Sequence, residues 1–389
     1  MRWLYISILL INAFLVTYCS NPEIEIKIDS HLESQIIEID STAYYDSIFT
    51  PLRISLDTFF HNRFSKKNFN GNVLFAKKGR IILKKSYGYA NLKTKDSLTL
   101  NHTFQLASAS KPFTAIAILQ LYEKGLLDLN DTINKYFPDF PYYGVNIHQL
   151  LCHRSGLSQY THFCDAPDSI WPDKSKTIQN KDVIKIISNI IPLINYPPDK
   201  KYYYCNTNYI LLASIVEKIS GLPFDLYLDK HIFHPLNMKS TKVYKRDNHD
   251  ELNLPAKGHL SSTKYADNTY LNGCIGDKGV YSNVHDLLIF DRALANNLLI
   301  SKETFQLATK EHNEMFKSNQ NYGYGFRLLS SINKGKIVFH TGWWKGFRSY
   351  FIKIIESDET IIILDNVKRG PFFNIESLAD LLPNAIKEN

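Results

Sequence analysis

Ser108 and Lys111 stand three residues apart at the head of an apolar segment, in Ser108-Ala109-Ser110-Lys111. Residues three apart on a helix share a face, so the amine can reach the hydroxyl. A serine at a helix N-terminus also sits among free backbone N–H groups, at the positive end of the dipole. Those are the ingredients of a serine nucleophile: a hydroxyl, an adjacent base, and partial positive charge for an oxyanion. The spelling alone does not decide it, because Ser-x-x-Lys recurs at Ser261/Lys264 and Ser331/Lys334. Both repeats lie in polar, turn-like sequence with no apolar helix behind them. After Lys111, Pro112 is tolerated in a first helical turn, and a largely apolar run from Phe113 ends at Gly125. Taken by itself, Ser108 reads either as a nucleophile or as an ordinary capping serine.

Two further patterns carry chemistry. Tyr204-Cys205-Asn206 precedes a second apolar helix, where a loop can aim side chains into a cleft. Tyr-x-Asn also occurs at Tyr270/Asn272 and Tyr281/Asn283, so it too is weak alone. His340-Thr341-Gly342 lies on an apolar strand and leads into Trp343-Trp344-Lys345-Gly346. Cys205, between two motif residues in an extended loop, is expected to point away and pack.

The elements that must position these groups are strands at both ends of the chain with helices between. Asn72–Ala76 and Ile81–Lys85 read as a hairpin turning at Lys78-Gly79. Strand character returns in Tyr324–Leu328, Lys336–His340, Ser349–Ile354 and Thr360–Leu364, and a last helix is expected over about 375–387. One sheet built from distant segments makes an α+β fold, an antiparallel sheet flanked by helices. The α+β lobe is expected over about 56–125 and 266–389, with a mostly helical lobe inserted at about 126–265.

Ahead of this domain, Met1-Arg2, an apolar run from Trp3 to Val16 and then Thr17-Tyr18-Cys19 read as an export signal over residues 1–19. The apolar run followed by Cys19 resembles a bacterial lipoprotein signal, which makes Cys19 the candidate lipidation site. Tyr18 departs from the small residue usual there, and an uncleaved anchor or a conventional cleavage site is the alternative. Either way the chain is expected outside the cytoplasm, in the cell envelope. Residues 20–55 read as a polar tether, partly helical near its end.

The chain has 389 residues, 44% hydrophobic, enough for one large domain, and a formal net charge of +7. The lysines are scattered with both signs interleaved, so neither a nucleic-acid partner nor an anionic-surface role is indicated. Cys152 and Cys164 are close enough to pair in an oxidising compartment. With His153 and His162 they match no closed zinc spacing; no metal and no cofactor is expected.

In order, Ser108-x-x-Lys111, Tyr204-x-Asn206 and His340-Thr341-Gly342 resemble the signature of the serine β-lactamase and penicillin-recognising hydrolase family. The similarity is to its branch of class C β-lactamases, D-alanyl-D-alanine carboxypeptidases, D-aminopeptidases and related esterases. It extends over about residues 60–385 and includes Leu150–Leu157, Gly276–Ser282 and Tyr322–Phe326. The resemblance implies a β-lactamase/transpeptidase-like fold and an acyl-enzyme on Ser108. Lys111 and Tyr204 would share the proton work, with the base undecided between them. Asn206 would bind a substrate amide, and the backbone N–H groups of Ser108 and Trp343 would form the oxyanion hole. His340, Thr341 and Gly342 would line the substrate's leaving side or carboxylate.

Two departures bear on substrate. Histidine replaces the lysine usual in class C β-lactamases at position 340, which offers less positive charge at pH 7. Trp343-Trp344 would wall the cleft, or one indole would pack and the other lie on the surface. Arg348 is grouped with the substrate-binding residues as a bidentate carboxylate ligand, with a strand-edge arginine as the alternative. The expected substrate is a small molecule or peptide with a carbonyl centre, cell-wall derived in one version. The rival readings are a class C-type β-lactamase and a non-catalytic peptidoglycan- or penicillin-binding protein.

Overall fold

The computed structural model describes residues 47–164, 170–171, 173–244, 254–313, 319–369 and 372–383. The expected export signal, Cys19 and all of the tether up to residue 46 lie outside the described residues. The tether is shorter than expected at its far end. A helix, α1 (Thr50–Ser65), begins inside it, and Phe49, Leu56 and Phe60 are buried against Val73, Phe75 and Tyr87. Apolar residues that pack on the sheet belong to the folded domain, which therefore starts before residue 56.

Among the described residues the main sheet has seven antiparallel strands: β1 (Gly71–Lys77), β2 (Arg80–Tyr87), β3 (Gln320–Tyr322), β4 (Arg327–Ser331), β5 (Gly335–Trp344), β6 (Phe347–Ile354) and β7 (Glu359–Asp365). Their order is β2-β1-β7-β6-β5-β4-β3, so the first hairpin joins the late meander through β1 and β7. Both faces are covered. Ile361 and Ile363 pack with α1, while Ile362 and Leu364 pack into the larger core on the other face. Burial on both sides is why Thr360–Leu364 is a continuous apolar run rather than an alternating one. The expected strand at Tyr324–Leu328 starts later, at Arg327, and β3 was not foreseen. The last helix is Ile375–Ala379, ending well before residue 387.

The larger core contains α2 (Lys111–Glu123), α3 (Asn206–Ser220) and α4 (Val284–Ala295). Gly125 and Gly221, both at positive φ, follow the ends of α2 and α3. The helical insertion ends earlier than residue 265. Lys242–Val243 already pairs with Val280–Ser282, which pairs in turn with Phe104–Gln105. Ala256 and Lys257 donate backbone hydrogen bonds to Thr103 and Ala90, so the segment from residue 254 belongs to the α+β lobe.

The two other Ser-x-x-Lys spellings fall apart in space. Ser261 Oγ accepts from the Lys264 backbone in a turn, and Lys334 Nζ lies 3.5 Å from the buried Glu359 carboxylate.

Candidate active site

The nucleophile turn is strained where it must be. Ala107 has φ +50°, unusual for a residue with a Cβ, and the 3-10 turn Ala107–Ser110 runs directly into α2. This leaves Ser108 half-buried between buried neighbours. The third motif meets this turn through a glycine. A Cβ on Gly342 would stand 1.9 Å from the Leu106 carbonyl oxygen, so only glycine lets β5 lie against the turn. Beyond Phe339, β5 has β6 on one edge only, because its pairing with β4 ends at Phe339–Arg327. The strand edge at Thr341–Trp344 is thus open beside Ser108, where an oxyanion hole would need backbone donors.

Lys111 is fully buried and makes three contacts. Its Nζ lies 3.2 Å from Ser108 Oγ, 2.9 Å from Asn206 Oδ1 and 2.9 Å from the Asp277 carbonyl. Burial, the largest cause, brings its pKa down to about 7; Asp277 opposes this, and Lys278 and Arg327 push the same way as burial. Tyr204 lies with its ring centroid 5.0 Å from Lys111 Nζ. Burial pushes its phenol up to about 12, against the opposing pull of Arg327 and the Ser108 hydroxyl. The Tyr204 hydroxyl is buried and has no hydrogen bond of normal geometry. Two groups therefore share one site with their proton affinities pushed apart.

The second motif is held by Gln159 and by His153, which the sequence did not connect with it. Gln159 donates to the Tyr204 carbonyl at 2.7 Å and accepts from the Asn206 N–H at 2.9 Å. His153, at φ +59° and fully buried, accepts the Cys205 N–H on Nδ1 at 3.1 Å. Its ring centroid is 4.3 Å from that of Tyr204. Burial and the Lys111 charge drive His153 well below the usual imidazole range, so it is a neutral brace. Cys205 packs inward as expected, 0% exposed.

His340 does not face substrate. It is fully buried, with Nδ1 2.8 Å from the Thr341 carbonyl and Nε2 3.1 Å from the Tyr322 hydroxyl. A carbonyl can only accept, so Nδ1 carries the proton and Tyr322 donates to Nε2. Burial, then Arg327 and Lys111, hold its pKa well below the ordinary value. The expected loss of positive charge at position 340 is therefore complete. Thr341 is half-buried beside it.

Arg348 is on the wrong face for substrate. Strand alternation puts it with Tyr350 on the α1 side, where its Nε donates to Asp365 at 3.2 Å and both side chains are buried. A carboxylate from its own sheet already occupies the position a substrate would take. The Trp343 side chain shares that face, 49% exposed with Lys368 Nζ 5.0 Å from its ring centroid. Trp344 is half-buried on the Ser108 side, donating to Asn272 Oδ1 at 3.2 Å. One indole thus packs and the other lies on the surface, and only Trp344 borders the site.

The cation in the cleft comes from Arg327, the first residue of β4. Its Cζ lies 5.0 Å from the Tyr204 ring centroid, on the same ring as Lys111. It has no carboxylate partner among the described residues, and its buried Nε is without a hydrogen bond. Arg327 follows immediately after the Tyr322–Phe326 block, the one trace of it in the sequence. Cys152 and Cys164 are both buried and are not joined in the disulfide their spacing allowed. His162 is exposed, and no cluster able to hold a metal occurs among the described residues.

A family model, Beta-lactamase, matches residues 61–382. Penicillin-binding protein 4* of Bacillus subtilis (strain 168) is 37% identical over 330 residues, covering 81% of this chain and 72% of that protein. The chain belongs to the β-lactamase family. Two solved structures share its fold. The octameric penicillin-binding protein homologue from Pyrococcus abyssi has a TM-score of 0.71 at 24% identity, covering 82% of this chain and 74% of that one. The D-amino acid amidase from Ochrobactrum anthropi SV3 has a TM-score of 0.70 at 22% identity, covering 85% and 96%. This β-lactamase-family chain is an enzyme of the serine-hydrolase kind, with the β-lactamase/transpeptidase-like fold that its three motifs suggested.

Proposed function

We propose that this protein hydrolyses an amide through an acyl-enzyme on Ser108, and that its substrate is a peptide ending in a free carboxylate, as for a D-alanyl-D-alanine carboxypeptidase. The observation that carries the chemistry is the hydrogen-bond count at Lys111. Asn206 Oδ1 and the Asp277 carbonyl are both acceptors and take two N–H bonds from Nζ. A neutral amine has two N–H groups and one lone pair, so the lone pair is left for the Ser108 hydroxyl. A pKa near 7 keeps a large neutral fraction at physiological pH. Lys111 is accordingly the proton acceptor, and Tyr204, held protonated, is the group able to give a proton to the leaving amine.

The reaction then runs in two halves. Ser108 Oγ adds to the carbonyl carbon while its proton passes to Lys111. The backbone N–H groups of Ser108 and Trp343 receive the oxyanion, each such donor contributing about 3 kcal/mol of transition-state stabilisation. Collapse breaks the C–N bond as Tyr204 gives its proton to the departing amine, and Lys111 passes the serine proton on to Tyr204, so that both groups end this half as they began. Water attacks the resulting ester by the same route in reverse, restoring Ser108. Asn206, already bonded to Lys111, has its amide N–H₂ left for a substrate carbonyl.

Arg327 supports the choice of substrate class. A half-buried guanidinium with no anionic partner among the described residues is costly, and it shares the Tyr204 ring with Lys111, each 5.0 Å from the centroid. A substrate carboxylate on that side supplies the missing charge. We further propose that the domain works in the cell envelope, carried there by residues 1–19 and held by lipid on Cys19; a globomycin-sensitive mobility shift tests this. For the chemistry, purified protein is exposed to a fluorophosphonate and to penicillin, and its intact mass measured beside Ser108→Ala. An adduct absent from the variant is the expected result; an unmodified wild type means a non-catalytic binder. Rapid turnover of nitrocefin in place of peptide would make it a β-lactamase instead.

A further inference from the structure

The Gly276–Val280 loop is hydrogen-bonded at both ends to the nucleophile turn and the start of α2. Thr114 Oγ1 donates to the Gly276 carbonyl at 2.7 Å and Lys111 Nζ to the Asp277 carbonyl at 2.9 Å. The Val280 N–H reaches Ser110 Oγ at 3.1 Å, and the Leu106 N–H returns to the Val280 carbonyl at 2.9 Å. Gly276 makes the bend possible: its φ is +104°, and a Cβ there would stand 2.4 Å from the Tyr209 carbonyl oxygen.

Two charged side chains of this loop turn into the protein. Asp277 is 2% exposed and Lys278 4%. Lys278 Nζ lies 3.4 Å from Asp277 Oδ1 and contacts the Tyr160 hydroxyl, which donates to Asp277 Oδ2 at 3.0 Å. The Tyr160 and Trp344 ring centroids lie 5.1 and 5.2 Å from the same ammonium. A buried ion pair is a poor way to stabilise a fold, since apolar residues of the same volume do as well. This one is built onto the peptide unit that holds the catalytic amine.

We propose that Lys278, Asp277 and Tyr160 form a positioning network that sets the protonation of Lys111, Lys278 countering the carboxylate of the residue whose backbone carbonyl holds the amine. The proposal rests on reading Lys111 as the proton acceptor. Asp277 raises the Lys111 pKa and Lys278 lowers it, so the two act in opposition on the amine. The other groups around the amine are accounted for: Arg327 from β4 lowers its pKa and Cys205 raises it. The Tyr204 and Tyr209 rings lie 5.0 and 5.4 Å away, and the remaining neighbours, His153 and His340, are neutral.

The test is the pH dependence of Ser108 labelling by a fluorophosphonate, followed by intact mass across about pH 5 to 10. Removing a like charge favours the protonated amine. Lys278→Met should therefore move the acid limb up by about one pH unit, with activity recovered at high pH. Asp277→Asn removes an opposite charge and should move the limb down by a similar amount. The double variant should return toward wild type, and Lys278→Arg should keep the wild-type midpoint despite its altered packing. Tyr160→Phe should follow Lys278→Met in direction, because it strips a donor from the carboxylate. A uniform loss at every pH with the midpoint unmoved, or shifts of the same sign in Lys278→Met and Asp277→Asn, would overturn the network. A wild type with no acid limb would overturn the Lys111 assignment itself, a separate failure. If Lys278→Met does not fold, Asp277→Asn and Lys278→Arg still give distinct expectations, a lowered midpoint and an unmoved one.

Discussion

Replacing Arg327 by glutamine should abolish the preference for a free carboxylate while leaving the catalytic apparatus in place. The guanidinium is half-buried, meets no carboxylate among the described residues, and lies 5.0 Å from the Tyr204 ring centroid. Two unit charges about 4 Å apart attract by about 4 kcal/mol at the effective dielectric of a partly exposed site. Desolvating the incoming carboxylate offsets part of this, leaving about 2–3 kcal/mol, the upper part of the range for hydrogen bonds to charged groups. At about 1.4 kcal/mol per tenfold, kcat/KM for a carboxylate-terminated peptide should fall by about 30- to 150-fold. The same peptide capped as its C-terminal amide should lose little. The variant also removes a cation that lowers the Lys111 pKa, so that pKa rises and the acid limb moves to higher pH. The two substrates must therefore be compared at about pH 9, above the limb in both proteins. Equal losses on the carboxylate and the amide, or a wild type that prefers the amide, would refute the carboxylate assignment.

Other perturbations separate the site from its scaffold. With Lys111 near 7 and active when neutral, the rate of Ser108 acylation should climb about tenfold from pH 6 to pH 8, following a single ionisation. A flat profile in stopped-flow labelling would count against it. Gly342→Ala must move β5 off the Leu106 carbonyl, 1.9 Å from the new methyl; acylation should fall at least a hundredfold, measured beside a melting curve. Arg348→Met strands the buried Asp365, already raised to about 6 by burial, and should destabilise the protein by about 3–5 kcal/mol in urea unfolding. Its ratio of kcat/KM for carboxylate and amide substrates should stay at the wild-type value, because Arg348 lies on the far face of the sheet.

The reactive groups were legible because each is announced by local order. Ser108 and Lys111 are three apart where a 3-10 turn runs into α2, Tyr204 and Asn206 flank one extended residue, and Gly342 follows His340 on one strand. Spacing along a helix or strand determines which face a residue takes, and the three motifs in order named the family and its fold. The sheet was legible in outline for the same reason, through apolar runs such as Thr360–Leu364 that must be buried on both sides.

What the chain order could not decide is what stands across from each group. Arg327 and Lys111 are far apart in sequence and meet on one tyrosine ring. Arg348 reads like a substrate ligand until β7 supplies Asp365 opposite it. His340 keeps its place in the motif, but the Tyr322 hydroxyl and the Thr341 carbonyl turn it into a neutral strut. Charge and proton affinity depend on burial and on partners brought in by other elements. The sequence by itself determined which residues react; tertiary packing decided their protonation and where the positive charge of the cleft comes from.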